Sequence, residues 1–197
     1  MVIAFFLSSA AGAAAERRTS GLEAFGGMIF PAPETLDRGL VTGFGFTWPL
    51  ARYTRVGVHF LYASISSRGE ADGLLEGRLT LTPFLVFLRQ DIALGSRLAF
   101  HLAGGGGILF ARLREDVITI PEVTISQHLP NSAALHASAR LSLSLTDSLA
   151  LFVQGGYLFC RTTGTTTIRD MNLGVSGQEF TADLSSLHGV AGLVLNF

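Results

Sequence analysis

The sequence predicts an all-β fold, an eight-stranded antiparallel up-and-down transmembrane β-barrel, and three observations lead there. The first is composition. Of 197 residues, 48% are hydrophobic and only 15% charged, whereas soluble domains carry about 25% charged residues. No run beyond the N-terminus approaches the roughly 20 apolar residues a membrane helix needs. Only helices and closed barrels satisfy every backbone polar group in hydrocarbon, which leaves either such a barrel or an unusually apolar soluble protein. The second observation is period-2 alternation, and the third is a regular alternation of short and long links.

The strands are expected at Leu22 to Phe30, Leu40 to Leu50, Arg55 to Ile65, Gly77 to Gln90, Leu98 to Arg112, Ala133 to Thr146, Leu149 to Arg161 and Ala182 to Phe197. The sixth segment shows the pattern most clearly. Leu135, Ala137, Ala139, Leu141, Leu143 and Leu145 share one face, while His136, Ser138, Arg140, Ser142, Ser144 and Thr146 share the other. Successive strand side chains point to opposite faces, so one face is aliphatic and the other polar. The third, seventh and eighth segments repeat this with Val56, Val58, Phe60 and Tyr62, with Leu149, Leu151, Val153, Tyr157 and Phe159, and with Leu187, Gly189, Ala191, Leu193, Leu195 and Phe197.

Short links follow the even strands: Ala51 to Thr54, Asp91 to Arg97, and Asp147-Ser148. Long links follow the odd strands: Pro31 to Gly39, Ser66 to Glu76, Leu113 to Ser132, and Thr162 to Thr181. Transmembrane barrels have short turns inside and long loops outside, and an even strand count keeps both termini on the short-turn side. Aromatic residues fall near strand ends, as in interfacial girdles. Trp48 and Tyr53 are expected at the inner interface and Tyr62 toward the outer one, with Tyr157 a further interface aromatic. In the third long link, Val117 to Ile125 alternates around Pro121-Glu122, which suggests a hairpin above the membrane that the Thr-rich Thr162 to Ile168 would flank.

The N-terminus reads as a signal. Val2 to Leu7 is apolar, Ser8 to Ala15 is small, and Ala13-Ala14-Ala15 precedes Glu16 like an A-x-A cleavage site. This divides the chain into a signal peptide over residues 1–15 and a barrel domain over 16–197.

The last strand ends Val190-Ala191-Gly192-Leu193-Val194-Leu195-Asn196-Phe197. It resembles the C-terminal assembly signal of outer-membrane barrels: Gly192, Leu195 and Phe197 match, while Val190 stands where a polar residue is usual. From about Gly21 to Phe197 the chain resembles the OmpA/OmpX-type family of small outer-membrane barrels. That resemblance implies export to the outer membrane of a Gram-negative-type bacterium and insertion by the barrel assembly machinery. It also implies contact with outer-membrane lipid and lipopolysaccharide, and no cofactor.

An eight-stranded barrel is just wide enough for side chains to fill, so a packed lumen is expected rather than an open pore. The alternation sends His59, His101, His136, Arg140, Gln154 and His188 inward, with Glu23 near the inner end. Small residues such as Gly43, Gly45, Ala99, Ala103 and Ser138 join them. Arg140 has no evident lumen carboxylate at its depth, and either water or a shifted Glu23 is expected to solvate it. Cys160 is expected as a buried thiol without partners. No metal site is expected, since no two of these histidines have ligand spacing within one strand.

Net charge is −1, which gives no electrostatic case for nucleic acid. His136 and Ser138 have the His-x-Ser spacing of a lipid A-modifying barrel enzyme. No third group follows to orient a base, and no enzyme is expected. The expected role is structural or surface-interacting, with the external partner unidentified. The competing reading is transport of small hydrophobic molecules through a lateral opening. A soluble lipocalin-like barrel would require the apolar face to turn inward.

Overall fold

The computed structural model describes residues 19–68, 76–115, 123–170 and 174–197. The expected signal segment lies outside them. Among the described residues eleven strands form: β1 (Gly21–Pro31), β2 (Gly39–Pro49), β3 (Thr54–Ser67), β4 (Gly77–Ala93), β5 (Leu98–Glu115), β6 (Val123–His128), β7 (Ser132–Ser144), β8 (Leu149–Phe159), β9 (Arg161–Asp170), β10 (Gly174–Asp183) and β11 (Ser186–Asn196). Eight of them close a barrel in the order β1-β11-β8-β7-β5-β4-β3-β2, and the other three form a separate sheet, β10-β9-β6. β1 pairs antiparallel with both β2 and β11, so the barrel has no open edge. Closure removes the row of unpaired amides that hydrocarbon would penalise.

The outward face is apolar. Leu135, Leu141, Leu143, Leu151, Val153, Leu187, Leu193 and Leu195 are all exposed, each on the face assigned from alternation. Inward positions are buried in the same rhythm, as the strictly alternating pattern of β8 shows. Such a belt is stable only in lipid, and the chain is a transmembrane barrel.

Several boundaries depart from expectation. β8 ends at Phe159, and Arg161 opens β9 instead. β11 begins at Ser186, and Ala182 belongs to β10. Both shifts have one cause: the chain bends out of the barrel wall at Cys160 and opposite it at Leu184-Ser185. There Leu184 N–H donates to the Cys160 carbonyl at 2.8 Å and Cys160 N–H to Ser185 Oγ at 3.1 Å. The link expected from Asp91 to Arg97 is shorter, because Asp91 pairs with His101 inside the β4–β5 ladder. The tight turn closes only at Leu94, whose N–H reaches the Leu98 carbonyl at 2.9 Å.

The long links carry structure of their own. β9 and β10 form a hairpin, and β6 pairs with β9 from Val123↔Asp170 to His128↔Thr165. The Thr-rich segment meets the second arm of the expected hairpin only at Ile168↔Ile125, and its threonines pair with Ser126 to His128 beyond that arm. The first arm and its Pro121-Glu122 turn lie outside the described residues. Apolar side chains from the links fold onto the barrel mouth: Leu36, Leu129 and Leu184 join the same buried cluster as Ile29, Leu79 and Leu109.

Candidate functional site

The lumen holds two chemically distinct halves. The inner half is charged. Glu23, 1% exposed, points inward from β1. Its carboxylate accepts two hydrogen bonds from Arg140, at 2.8 and 2.6 Å, and one from Arg89 at 2.8 Å. His59 Nε2 lies 3.1 Å from the same carboxylate. Arg140 also donates through Nε to Gln154 Oε1 at 2.9 Å and lies 3.9 Å over the Phe152 ring. Asp91 extends the network. It accepts from Arg89 at 3.1 Å and from Arg55 at 2.7 Å, and His101 Nδ1 lies 2.7 Å away. His101 Nε2 reaches Ser142 Oγ at 2.6 Å.

Within this network two carboxylates face three guanidinium groups. Buried ions are tolerable only when paired and hydrogen-bonded on several sides. Each carboxylate here meets more than one cation, so the inner half is tied across six strands: β1, β3, β4, β5, β7 and β8. Local packing allows it. A Cβ at Gly45 would lie 2.3 Å from His59 Cδ2, so glycine there leaves space for the ring that reaches Glu23.

The outer half is apolar, lined by Ile29, Val41, Leu61, Leu81, Leu85 and Leu158 among others. At its base His188 stacks on His136 with ring centroids 5.3 Å apart. His136 Nδ1, His188 Nε2 and Ser186 Oγ are buried there without hydrogen-bond partners. Pro83 of β4 lies at the wall of this half. β3 pairs with β4 from Thr54↔Gln90 to Phe60↔Phe84 and again from Ala63↔Leu81 to Ser67↔Gly77. Between these stretches Leu61 and Tyr62 face Thr82 and Pro83 without pairing. Proline lacks the N–H a ladder needs and is rare in a strand paired on both sides.

All six expected lumen residues are buried, with His59, His101, Arg140 and Gln154 in the inner network and His136 and His188 above it. The sequence pattern did not place Arg89 or Asp91 in the lumen, and Asp91 was expected to open a link. Arg89 continues the inward positions Leu81, Leu85 and Phe87, and that phase was the available signal. Arg140 does find Glu23. The lumen is not polar throughout, because its outer half is leucine-rich. Among the described residues no group of three metal-ligating side chains comes together.

Trp48, Tyr62 and Tyr157 face outward at 43%, 50% and 42% exposure. Tyr53 sits in the first inner turn with Arg52 over its ring. Aromatics also stack mid-wall, where Phe44, Phe60 and Phe84 form a cross-strand ladder at 5.0 and 4.6 Å. At the terminus Leu195 and Phe197 face outward, and Phe197 lies 5.8 Å from Phe46. Gly192 faces inward where a Cβ would strike the Ala24 carbonyl at 2.3 Å.

No protein-family model matches the sequence, and no curated protein does either. Solved structures do. The chain is similar to the outer membrane protein OprG from Pseudomonas aeruginosa, with a TM-score of 0.66 at 18% identity, covering 91% of this chain and 96% of that one. It is similar to the outer membrane protein AlkL, with a TM-score of 0.62 at 14% identity over 98% and 97%. A major outer membrane protein from Thermus thermophilus gives 0.51 at 15% identity, over 90% and 99%. The fold is that of outer-membrane β-barrels.

Proposed function

We infer that this chain is an outer-membrane barrel that admits small apolar molecules at its outer mouth and releases them sideways into the bilayer. The observation that carries this reading is the division of the lumen. Barrel interiors are ordinarily polar, yet the outer half here is leucine-lined and the inner half is closed by ion pairs. An apolar solute gains by entering the first and loses by crossing the second. The weakest point of the wall around the apolar half is the unpaired stretch at Leu61, Tyr62, Thr82 and Pro83. An exit there leads directly to hydrocarbon.

A second reading, a closed barrel with a structural or surface-interaction role, is favoured by tight filling. The cavity among Ile29, Val41, Leu61, Pro83 and Leu158 measures about 10 Å³, room for roughly one water. Opening the lateral route therefore requires side chains to move. His136 stacks on His188, and among the described residues its Nδ1 has no hydrogen-bond partner.

Uptake of a radiolabelled medium-chain hydrocarbon by cells with and without the protein separates the two. Expression should raise uptake. Pro83→Val, which returns an N–H to β4, should remove most of that gain while the barrel keeps its heat-modifiable migration. Uptake indifferent to expression, or to this substitution, overturns the lateral route.

A further inference from the structure

The outward face of β3, β4 and β5 changes character in four successive cross-strand rows. The lowest row is Phe60, Phe84 and Ile108. Above it stand Tyr62, Thr82 and Phe110, then Ser64, Thr80 and Arg112, and finally Ser66, Arg78 and Arg114. Alternate residues of a strand lie about 7 Å apart along it. The arginines therefore begin one row above the aromatic level that marks the hydrocarbon boundary.

Two features make this more than a solvated rim. Arg78 and Arg114 stand directly opposite each other, and like charges in that position destabilise a sheet. Among the described residues, none of Arg78, Arg112 and Arg114 has an ion-pair partner, although Glu76 lines the same depression as Arg78 and Arg114. The surface there is also concave. Arg78 and Arg114 border a depression of about 370 Å³ with Ser66 and Ser67. Arg112 borders a second of about 620 Å³, with Phe110 and Thr82 from the wall and His128 from β6 opposite.

We propose that Arg78, Arg112 and Arg114 form a binding site for the phosphate groups of a phosphorylated lipid in the outer leaflet. A phosphate between Arg78 and Arg114 converts a repulsive pair into two charge-assisted hydrogen-bonding partners. Ser66 and Thr80 supply hydroxyl donors on the same face, and Phe110 and Tyr62 lie where acyl chains begin. Arginine suits the role because its planar fork matches phosphate geometry. The site faces lipid and is separate from the lumen, so it stands whether or not the lateral route exists.

The test uses the purified barrel in detergent with three probes: bis-phosphorylated lipid A, dephosphorylated lipid A and inorganic phosphate. Unfolding temperature is read from loss of heat-modifiable migration. Bis-phosphorylated lipid A should raise it, the other two should not, and the effect should shrink as salt rises. In Arg78→Gln/Arg112→Gln/Arg114→Gln, apparent affinity for that lipid should fall about tenfold or more. Arg114→Glu alone should raise the lipid-free unfolding temperature, by pairing with Arg78, and weaken the lipid effect. Equal stabilisation by dephosphorylated lipid A, or by inorganic phosphate at the same concentration, overturns the assignment. So does a triple variant that folds and retains wild-type affinity.

Discussion

Glu23 is the residue on which the inner lumen turns. It meets Arg140, Arg89 and His59 at once, from a position almost wholly out of water. Glu23→Gln leaves two guanidinium groups without their main counter-charge, and breaking such a buried pair costs about 3–5 kcal/mol. Urea unfolding followed by the fluorescence of Trp48 should show that loss, and the double variant Glu23→Gln/Arg140→Met should recover much of it. Gly45→Val should produce a smaller loss through the displaced His59 ring. Asp183, at the root of the β9–β10 hairpin, behaves differently. Partial burial pushes its carboxyl upward, but hydrogen bonds from Ser185 and Arg161 outweigh this and hold it below the usual carboxylate range. A lowered carboxyl adds stability that is present at neutral pH and lost as pH falls through its folded value. Amide exchange in β9 and β10 should therefore quicken only in strong acid, and Asp183→Asn should show the faster exchange at neutral pH.

At the scale of elements, the wall was legible because its signal is local. Alternation in the sequence placed Leu135, Leu151 and Leu187 on the lipid face within single strands, and neighbouring strands merely repeat it. The inner network was less legible because its partners come from different strands. Asp91 reads as a polar link residue until β4 is known to continue past it to Ala93. Arg140 and Glu23 meet across the lumen, outside each other's hydrogen-bond rows. β9 and β10 were hidden for another reason: their Thr, Gly and Ser residues pair above the membrane, and burial is confined to their roots, at Thr162, Gly164 and Ala182, too short a stretch to impose apolar alternation. Deleting residues 162–182 and rejoining the chain with a short turn should leave the eight barrel strands intact, since none of them pairs with β9 or β10. Unchanged heat-modifiable migration of that variant is the expected result. Failure to fold would mean that the bend at Cys160 and Ser185 is part of the barrel's own stability.

The whole molecule is a closed cylinder with a charged floor, an apolar upper chamber and a small sheet standing on one side of its mouth. Ion pairs across the floor leave no continuous aqueous path, so planar-bilayer recordings should show no steady single-channel conductance. The eight-strand count and the even closure followed from alternation within segments together with the short-long rhythm of the links. The two-layered lumen did not, because it depends on which inward residue lies above which, and strand tilt sets that only once the barrel is closed.

Closure has a consequence for the order of assembly. β1 contributes Glu23, while β4 and β7 contribute Arg89 and Arg140. The N-terminal strand is also the one the last strand must find, through pairs from Gly21↔Asn196 to Pro31↔Ser186. Until those strands join, β1 is fixed to the growing sheet along one edge only, and its carboxylate is not held over the two arginines. The final zipping of backbone and the discharge of the buried positive groups are thus one event. A barrel that stalls short of closure keeps an electrical debt at its centre, and completion alone removes it.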